Sequence, residues 1–385
     1  MIDNYPDPEW SLLLAACSAA PCEEKRAQIL SLLGQPVNWP KLFALADHHR
    51  TLPVLGRSLM LVEGCVPPDQ IQELKQSQQN NLLKSLLLSR ELIRIIGRLT
   101  ALGIEVLPYK GPVLAEVLYG DVAMRQAGDI DVFIRARDLA RIRDAARELG
   151  YTPHQQLSAS EERAYLKSGY ELAFDGVAGP NLLEVQWAIQ PRFYAVDFDI
   201  EGLFQRAMTV NVSGQPMRTP SASDLFLVLS LHAAKHVYGR LGWLCDIAQL
   251  MGQPGIAWEW IGAQARALGI VRILRVTMLA ANHMLGAAIP AAANEALPED
   301  HGAPALAEEI RAHIFSRSGF NVESASYFRL MMRLRERPAD RLRLLTRLAF
   351  TPGPSEWSAV RLPQPLFPLY SVVRFSRLAA RLIRV

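Results

Sequence analysis

Asp129 and Asp131 stand two apart in Gly128-Asp129-Ile130-Asp131-Val132-Phe133-Ile134. On a β-strand such residues share a face, so the two carboxylates project together while Ile130 and Val132 point the other way. Adjacent carboxylates repel unless a cation lies between them. Mg²⁺ suits the pair, because it binds one or two carboxylates together with substrate phosphates. Phosphoryl-type chemistry is the expectation. Just upstream, Lys110-Gly111-Pro112 precedes an apolar helical stretch, Val113 to Tyr119. Gly111 permits a tight turn and close backbone approach to a ligand, and Pro112 fits the first helical position. A helix N-terminus there offers free N–H groups to phosphate, and Lys110 adds a point charge. Arg125 also flanks the carboxylates. It suits phosphate contact, or a structural pair with Asp121 or Asp129.

The elements that must hold these residues follow from hydrophobic periodicity. Ile104–Leu107, Ile130–Ile134, Glu171–Phe174 and Leu182–Trp187 read as strands. Asp138 to Leu149 reads as a helix ended by Gly150. Thr209–Val212 and Gln215–Arg218 form a hairpin around Ser213-Gly214. The mixed order predicts a small mixed sheet with helices on one face. Residues 1–100 read as helical, with segments Trp10 to Ala19, Glu23 to Leu33, Pro40 to His48 and a long one from Pro68 to Leu102. Residues 220–320 return to helix, with Ser221 or Ser223 capping a start near Asp224. Residues 351–369 are Pro-rich and read as extended, and 370–384 as a basic amphipathic helix. The division expected is 1–100 helical, 101–218 α+β core, 219–325 helical and 326–385 a basic extension.

His232 and His236 lie four apart on one helical face beside Lys235. Such a pair can bind zinc, but a zincin would need Glu where Ala233 stands, and a packed histidine pair is preferred. Asp246 can tie to Lys235 or His236. Among 385 residues the net charge is +3, yet residues 326–385 hold 12 Arg and no Lys against 3 acidic residues. Such a surplus can meet a polyanion or membrane surface, although an amphipathic helix packing on its own core is the commoner use. Cys17, Cys22, Cys65 and Cys245 lack metal or disulfide-framework spacing, which fits reduced thiols and a cytoplasmic location. Met1-Ile2-Asp3-Asn4 does not read as a signal peptide, and no apolar run approaches a membrane span.

The order of these motifs resembles the polymerase-β-like nucleotidyltransferase superfamily, and within it a bacterial family of uncharacterised nucleotidyltransferases. The stretches that carry it are Tyr109-Lys110-Gly111-Pro112-Val113-Leu114-Ala115, Leu118-Tyr119-Gly120-Asp121, Arg125 with Gly128-Asp129-Ile130-Asp131, and Leu183-Glu184-Val185-Gln186-Trp187. Further on, Leu231-His232-Ala233-Ala234-Lys235-His236, Trp243-Leu244-Cys245-Asp246, Phe350-Thr351-Pro352 and Leu362-Pro363 also fit. The resemblance runs over roughly residues 80 to 385.

It implies a minimal nucleotidyltransferase core flanked by helical regions. Asp129 and Asp131 would hold Mg²⁺ or Mn²⁺, and Glu184 would be the third carboxylate, with Glu171 its rival because alternation around Glu184 is ambiguous. Lys110 and Gly111 would hold phosphates, and Arg125, His232, Lys235 and Asp246 would contact nucleotide or acceptor. The activity implied is transfer of a nucleoside monophosphate from an NTP, ATP among them, to a small molecule, sugar, peptide or protein. The turn is Gly111-Pro112 where the superfamily usually has Gly-Ser, and Gln186 stands where the family commonly has His. Those two positions keep open an inactive descendant that binds a nucleotide or partner. Nucleic-acid binding is not expected, as no such motif is present.

Overall fold

The computed structural model describes residues 7–176, 182–316 and 324–383. Arg384, residues 1–4 and the end of the 220–320 segment, all part of the reading above, lie outside them. Five strands form one sheet: β1 (Leu107–Pro108), β2 (Asp129–Phe133), β3 (Tyr151–Pro153), β4 (Glu171–Gly176) and β5 (Leu182–Gln186). Their spatial order is β1-β2-β5-β4-β3. Only β2 and β5 run parallel, and the other neighbours are antiparallel. A separate hairpin joins β6 (Met208–Val212) to β7 (Gln215–Thr219). This is an α+β core with helical flanks.

The sheet has two unlike faces because its strands alternate. Ile130, Val132, Leu183 and Val185 are buried in one apolar cluster with Leu92, Ile95 and Leu99 of the helix Pro68–Ala101 and Ile142 of the helix Leu139–Glu148. At about 25 cal/mol per Å² of apolar area removed from water, that cluster is the sheet's main anchor. The alternate residues, Asp129, Asp131, Glu184 and Gln186, therefore point to the opposite face. Burial of Leu183 and Val185 resolves the ambiguity around Glu184.

A second apolar cluster binds the N-terminal helices to the later ones. Trp10, Leu13 and Leu45 share it with Leu231, Leu244 and Leu274. The helix Ala222–Lys235 starts where expected: Ser221 caps it by accepting from Asp224 N–H.

Two expectations need correction. Only Leu107 and Pro108 of the first strand pair with β2, since Pro108 has no N–H to extend the ladder and suits an edge. Residues 351–369 are largely helical: Pro354–Ala359 is a short helix, and Gln364–Leu369 is 3₁₀. Pro354 and Pro365 sit in first turns, where a missing N–H is harmless, and Glu356 accepts from Gly353 N–H at 2.9 Å. The helices Leu52–Met60, Ala159–Ser168 and Ile200–Gln205, and β3, were not anticipated.

Candidate active site

The parallel register sets Asp131 directly opposite Glu184, and the antiparallel neighbour sets Glu171 opposite Gln186. Carboxylates distant in sequence thus meet on one face. Gln186 mediates among them. Its Nε2 lies 3.4 Å from Asp131 Oδ1, 3.2 Å from Glu171 Oε2 and 3.4 Å from Glu184 Oε2. Its Oε1 accepts from Tyr109 O–H at 2.8 Å, which fixes the amide's orientation.

The side chain of Asp131 is fully buried, and Lys110 Nζ donates to its Oδ1 at 2.9 Å. Asp131 Oδ2 is buried without a hydrogen-bond partner, a costly state for a carboxylate oxygen. Burial opposes the Lys110 charge, but Asp131 more than offsets it and holds the ammonium above the ordinary lysine range. Burial, then the neighbouring Asp131 and Glu171 charges, push Glu184 up to about 8. Asp129 is also raised, by burial and then by Asp131.

The Gly111 turn is built for close approach. Gly111 adopts φ +56°, and a Cβ there would meet the Asp129 carbonyl oxygen at 3.4 Å. Arg125 braces this turn. It donates to both carboxylate oxygens of Asp246, with Nε at 3.0 and 3.1 Å and Nη2 at 2.9 Å. Its Nη1 reaches the Gly111 carbonyl at 3.4 Å. Tyr119 O–H adds a hydrogen bond to Asp246 at 3.2 Å. Asp246 thus pairs with Arg125 rather than with Lys235 or His236, and Arg125 with neither Asp121 nor Asp129.

A cavity of about 390 Å³ opens over these groups, lined by Lys110, Gly111, Arg125, Asp129, Glu171 and Glu184. Its opposite wall is helical. The His232 and His236 rings lie 4.6 Å apart, tilted to one another, and both pack against Trp243. Burial drives both rings below the usual histidine range, His236 to about 3, so both are neutral at pH 7. That is the packed pair expected. Lys235 donates to Tyr170 O–H at 2.9 Å, and burial lowers its ammonium to about 8 against the pull of Glu171. Tyr170 in turn donates to Glu171.

Sequence reasoning missed Tyr170, Trp243, Arg240 and Arg50 as wall residues. Arg50 comes from the N-terminal region in a left-handed conformation, φ 58°. It reaches the cavity because Gly242 N–H donates to the His49 carbonyl at 3.0 Å. A Cβ at Gly242 would meet that oxygen at 3.0 Å and the Arg50 carbonyl at 3.1 Å. Glycine at 242 was the available signal.

The donor set is all oxygen, and the orphaned Asp131 Oδ2 fits a hard divalent cation. Among the described residues, no three His, Cys, Asp or Glu side chains already stand as a metal-binding group. Lys110 and Gln186 hold the carboxylates instead.

The model of a family described as "Uncharacterised nucleotidyltransferase" matches residues 35–286. The chain belongs to this family. Membership makes it a transferase of the nucleotidyl class, and the matched stretch contains every candidate site residue named above. The match begins before residue 80 and ends short of Phe350-Thr351-Pro352 and Leu362-Pro363, so the resemblance at those C-terminal motifs falls outside it. No curated protein matches the chain. Among solved structures it is similar to that of ANT(2")-Ia in complex with adenylyl-2"-tobramycin, with 13% identity and a TM-score of 0.35 over 47% of this chain and 97% of that one.

Proposed function

We propose that this family member transfers a nucleoside monophosphate from an NTP to an acceptor, with a divalent cation held by Asp129, Asp131 and Glu184. The observation that carries this reading is the β2–β5 register, which converges these carboxylates under one cavity and leaves Asp131 Oδ2 without a partner. In the reaction an acceptor oxygen or nitrogen bonds the α-phosphorus, the α–β anhydride bond breaks and pyrophosphate leaves. Mg²⁺ or Mn²⁺, when bound, would lower the pKa of an attacking hydroxyl and stabilise charge on the phosphorus.

The chain's own residues supply position and field. Lys110, the Gly111 turn and Lys235 hold phosphates. His232 offers a neutral ring to nucleotide or acceptor. Arg125 and Asp246, satisfied by each other, act on the nucleotide through the turn they brace. ATP heads the candidate NTPs, and the acceptor classes are a small molecule, sugar, peptide or protein. The work divides among a helical region 1–100, a core 101–218, a helical domain 219–325 and a basic extension 326–385. The four cysteines are free, which supports a cytoplasmic location. No described helix is long and apolar enough to cross a membrane.

The basic extension supports a weak contact with an anionic membrane surface. Leu342 is 63% exposed, Phe350 60%, Val372 60% and Phe375 54%, and the two phenylalanine rings stack at 6.3 Å. Arg343 and Arg361 are exposed in the same segments. A second copy would bring the same positive charge to this patch, and a nucleic acid would leave its apolar residues uncovered. An anionic lipid surface complements both features.

The test is incubation with each NTP, with and without Mg²⁺ or Mn²⁺, for wild type and the Asp129→Asn/Asp131→Asn double variant. Metal-dependent pyrophosphate release or self-labelling that the variant loses is the expected result. If no NTP binds with either metal, the transferase reading fails and the chain is an inactive binding module on the same fold.

A further inference from the structure

We propose that Lys110 is a resident counter-ion that leaves Asp131 for the nucleotide phosphates when a divalent cation arrives, so that cation and nucleotide bind cooperatively. This rests on the transferase reading above and adds to it a linkage between the two ligands.

Three observations converge. The Lys110 ammonium already occupies a cation's place, 2.9 Å from Asp131 Oδ1. Asp131 lies fully buried behind the cavity wall that Lys110, Asp129, Glu171 and Glu184 form, so access to its oxygens from the cavity is contested by Lys110. Its second oxygen has no partner at all, so one ammonium satisfies half of the carboxylate's capacity. A divalent ion held by these carboxylates would supply twice the charge of the ammonium.

Lys110 has somewhere to go. It is the residue immediately before the helix Gly111–Tyr119, beside the free N–H groups where phosphate is favoured. Its ammonium is a compact charge on a flexible four-carbon stem. Without phosphate, releasing Asp131 strands the ammonium in a half-enclosed site at an electrostatic cost. With phosphate it exchanges one anion for another. Cation alone must therefore compete with Lys110, whereas cation and nucleotide together need not. Linkage makes the effect reciprocal.

Calorimetric titration of the full chain with Mn²⁺ alone tests this, using wild type, Lys110→Met and Lys235→Met. Lys110→Met is expected to bind Mn²⁺ about tenfold more tightly than wild type, within the range usual for coupled sites. Lys235→Met removes a cation from the same cavity that bonds Tyr170 rather than Asp131, and should change Mn²⁺ affinity clearly less than Lys110→Met does. Adding an α,β-methylene NTP should raise Mn²⁺ affinity more in wild type than in Lys110→Met. Should Lys110→Met fail to fold by circular dichroism, Lys110→Gln, which keeps a donor without the charge, gives the same comparison. Equal tightening in the Lys110 and Lys235 variants, or none in the Lys110 variants, overturns the counter-ion role while wild-type NTP turnover leaves the transferase reading standing. Absence of Mn²⁺ binding in every variant, with and without nucleotide, overturns both.

Discussion

Glu184 and Asp131 face each other across parallel strands, and the Asp131 charge, added to burial, raises the cost of the Glu184 charge. A carboxyl raised to about 8 from an ordinary 4.5 takes up a proton on folding between those values. Its contribution is full below about pH 4.5 and is lost as pH rises toward 8. The metal-free protein is thus expected to lose thermal stability from pH 5 to 8, and Glu184→Gln should flatten that slope in a melting series across pH. Asp131→Asn alone should lower kcat by at least about a hundredfold, the scale for removing a group that stabilises transition-state charge, with steady-state kinetics as the check. At this scale Asp129, Asp131, Lys110 and Gly111 were legible because they lie within one short stretch. Tyr170 and Arg50 were not, since they join the cavity by convergence in space and neither carries a motif, and Trp243 stood in a recognised stretch that gave it no place on the cavity wall. The partner of Asp246 was likewise out of reach: spacing puts Lys235 near it on adjoining helices, but only packing brings Arg125 there.

The element that matters most for the phosphate side is the turn entering the helix Gly111–Tyr119. Arg125 and Asp246, 121 residues apart in sequence, brace it together, and both are largely buried. Removing one partner of such a pair leaves an uncompensated charge and is expected to cost about 3–5 kcal/mol. Arg125→Ala should therefore lower the denaturation midpoint sharply, and the Arg125→Ala/Asp246→Ala double variant should recover part of the loss in a double-mutant cycle. Gly111→Ala carries a smaller expected penalty of roughly 1–2 kcal/mol for a left-handed residue, with a higher KM for NTP. Strand and helix positions were legible wherever periodicity was strong, as in β2, β5 and the helix Pro68–Ala101. They were not where the segment was short or proline-rich. Residues 351–369 read as extended because prolines break helices from within, but Pro354 and Pro365 here stand in first turns.

At the scale of the whole molecule, the family match ends at residue 286, yet the chain beyond it is joined to the site. Tyr327 O–H donates to the Lys235 carbonyl at 2.7 Å, and buried Arg335 donates to the Ala195 and Leu268 carbonyls. The outer face of that same segment is the apolar, arginine-bearing patch. Wild type should co-sediment with vesicles containing phosphatidylglycerol and not with neutral ones, and Val372→Asp/Phe375→Asp should abolish it. Equal sedimentation with neutral vesicles, or concentration-dependent dimers in light scattering, would remove the membrane contact. The separations that close the site have a temporal consequence. Gln186 reaches Asp131 across 55 residues, and Arg125 and Tyr119 reach Asp246 across 121 and 127. Such non-local contacts form slowly, and during synthesis from the N-terminus none can close before its later partner has been made. On a ribosome, the nascent chain carries its two aspartates before Glu184 and Asp246 emerge, so the cavity can close only after residue 246 has been made.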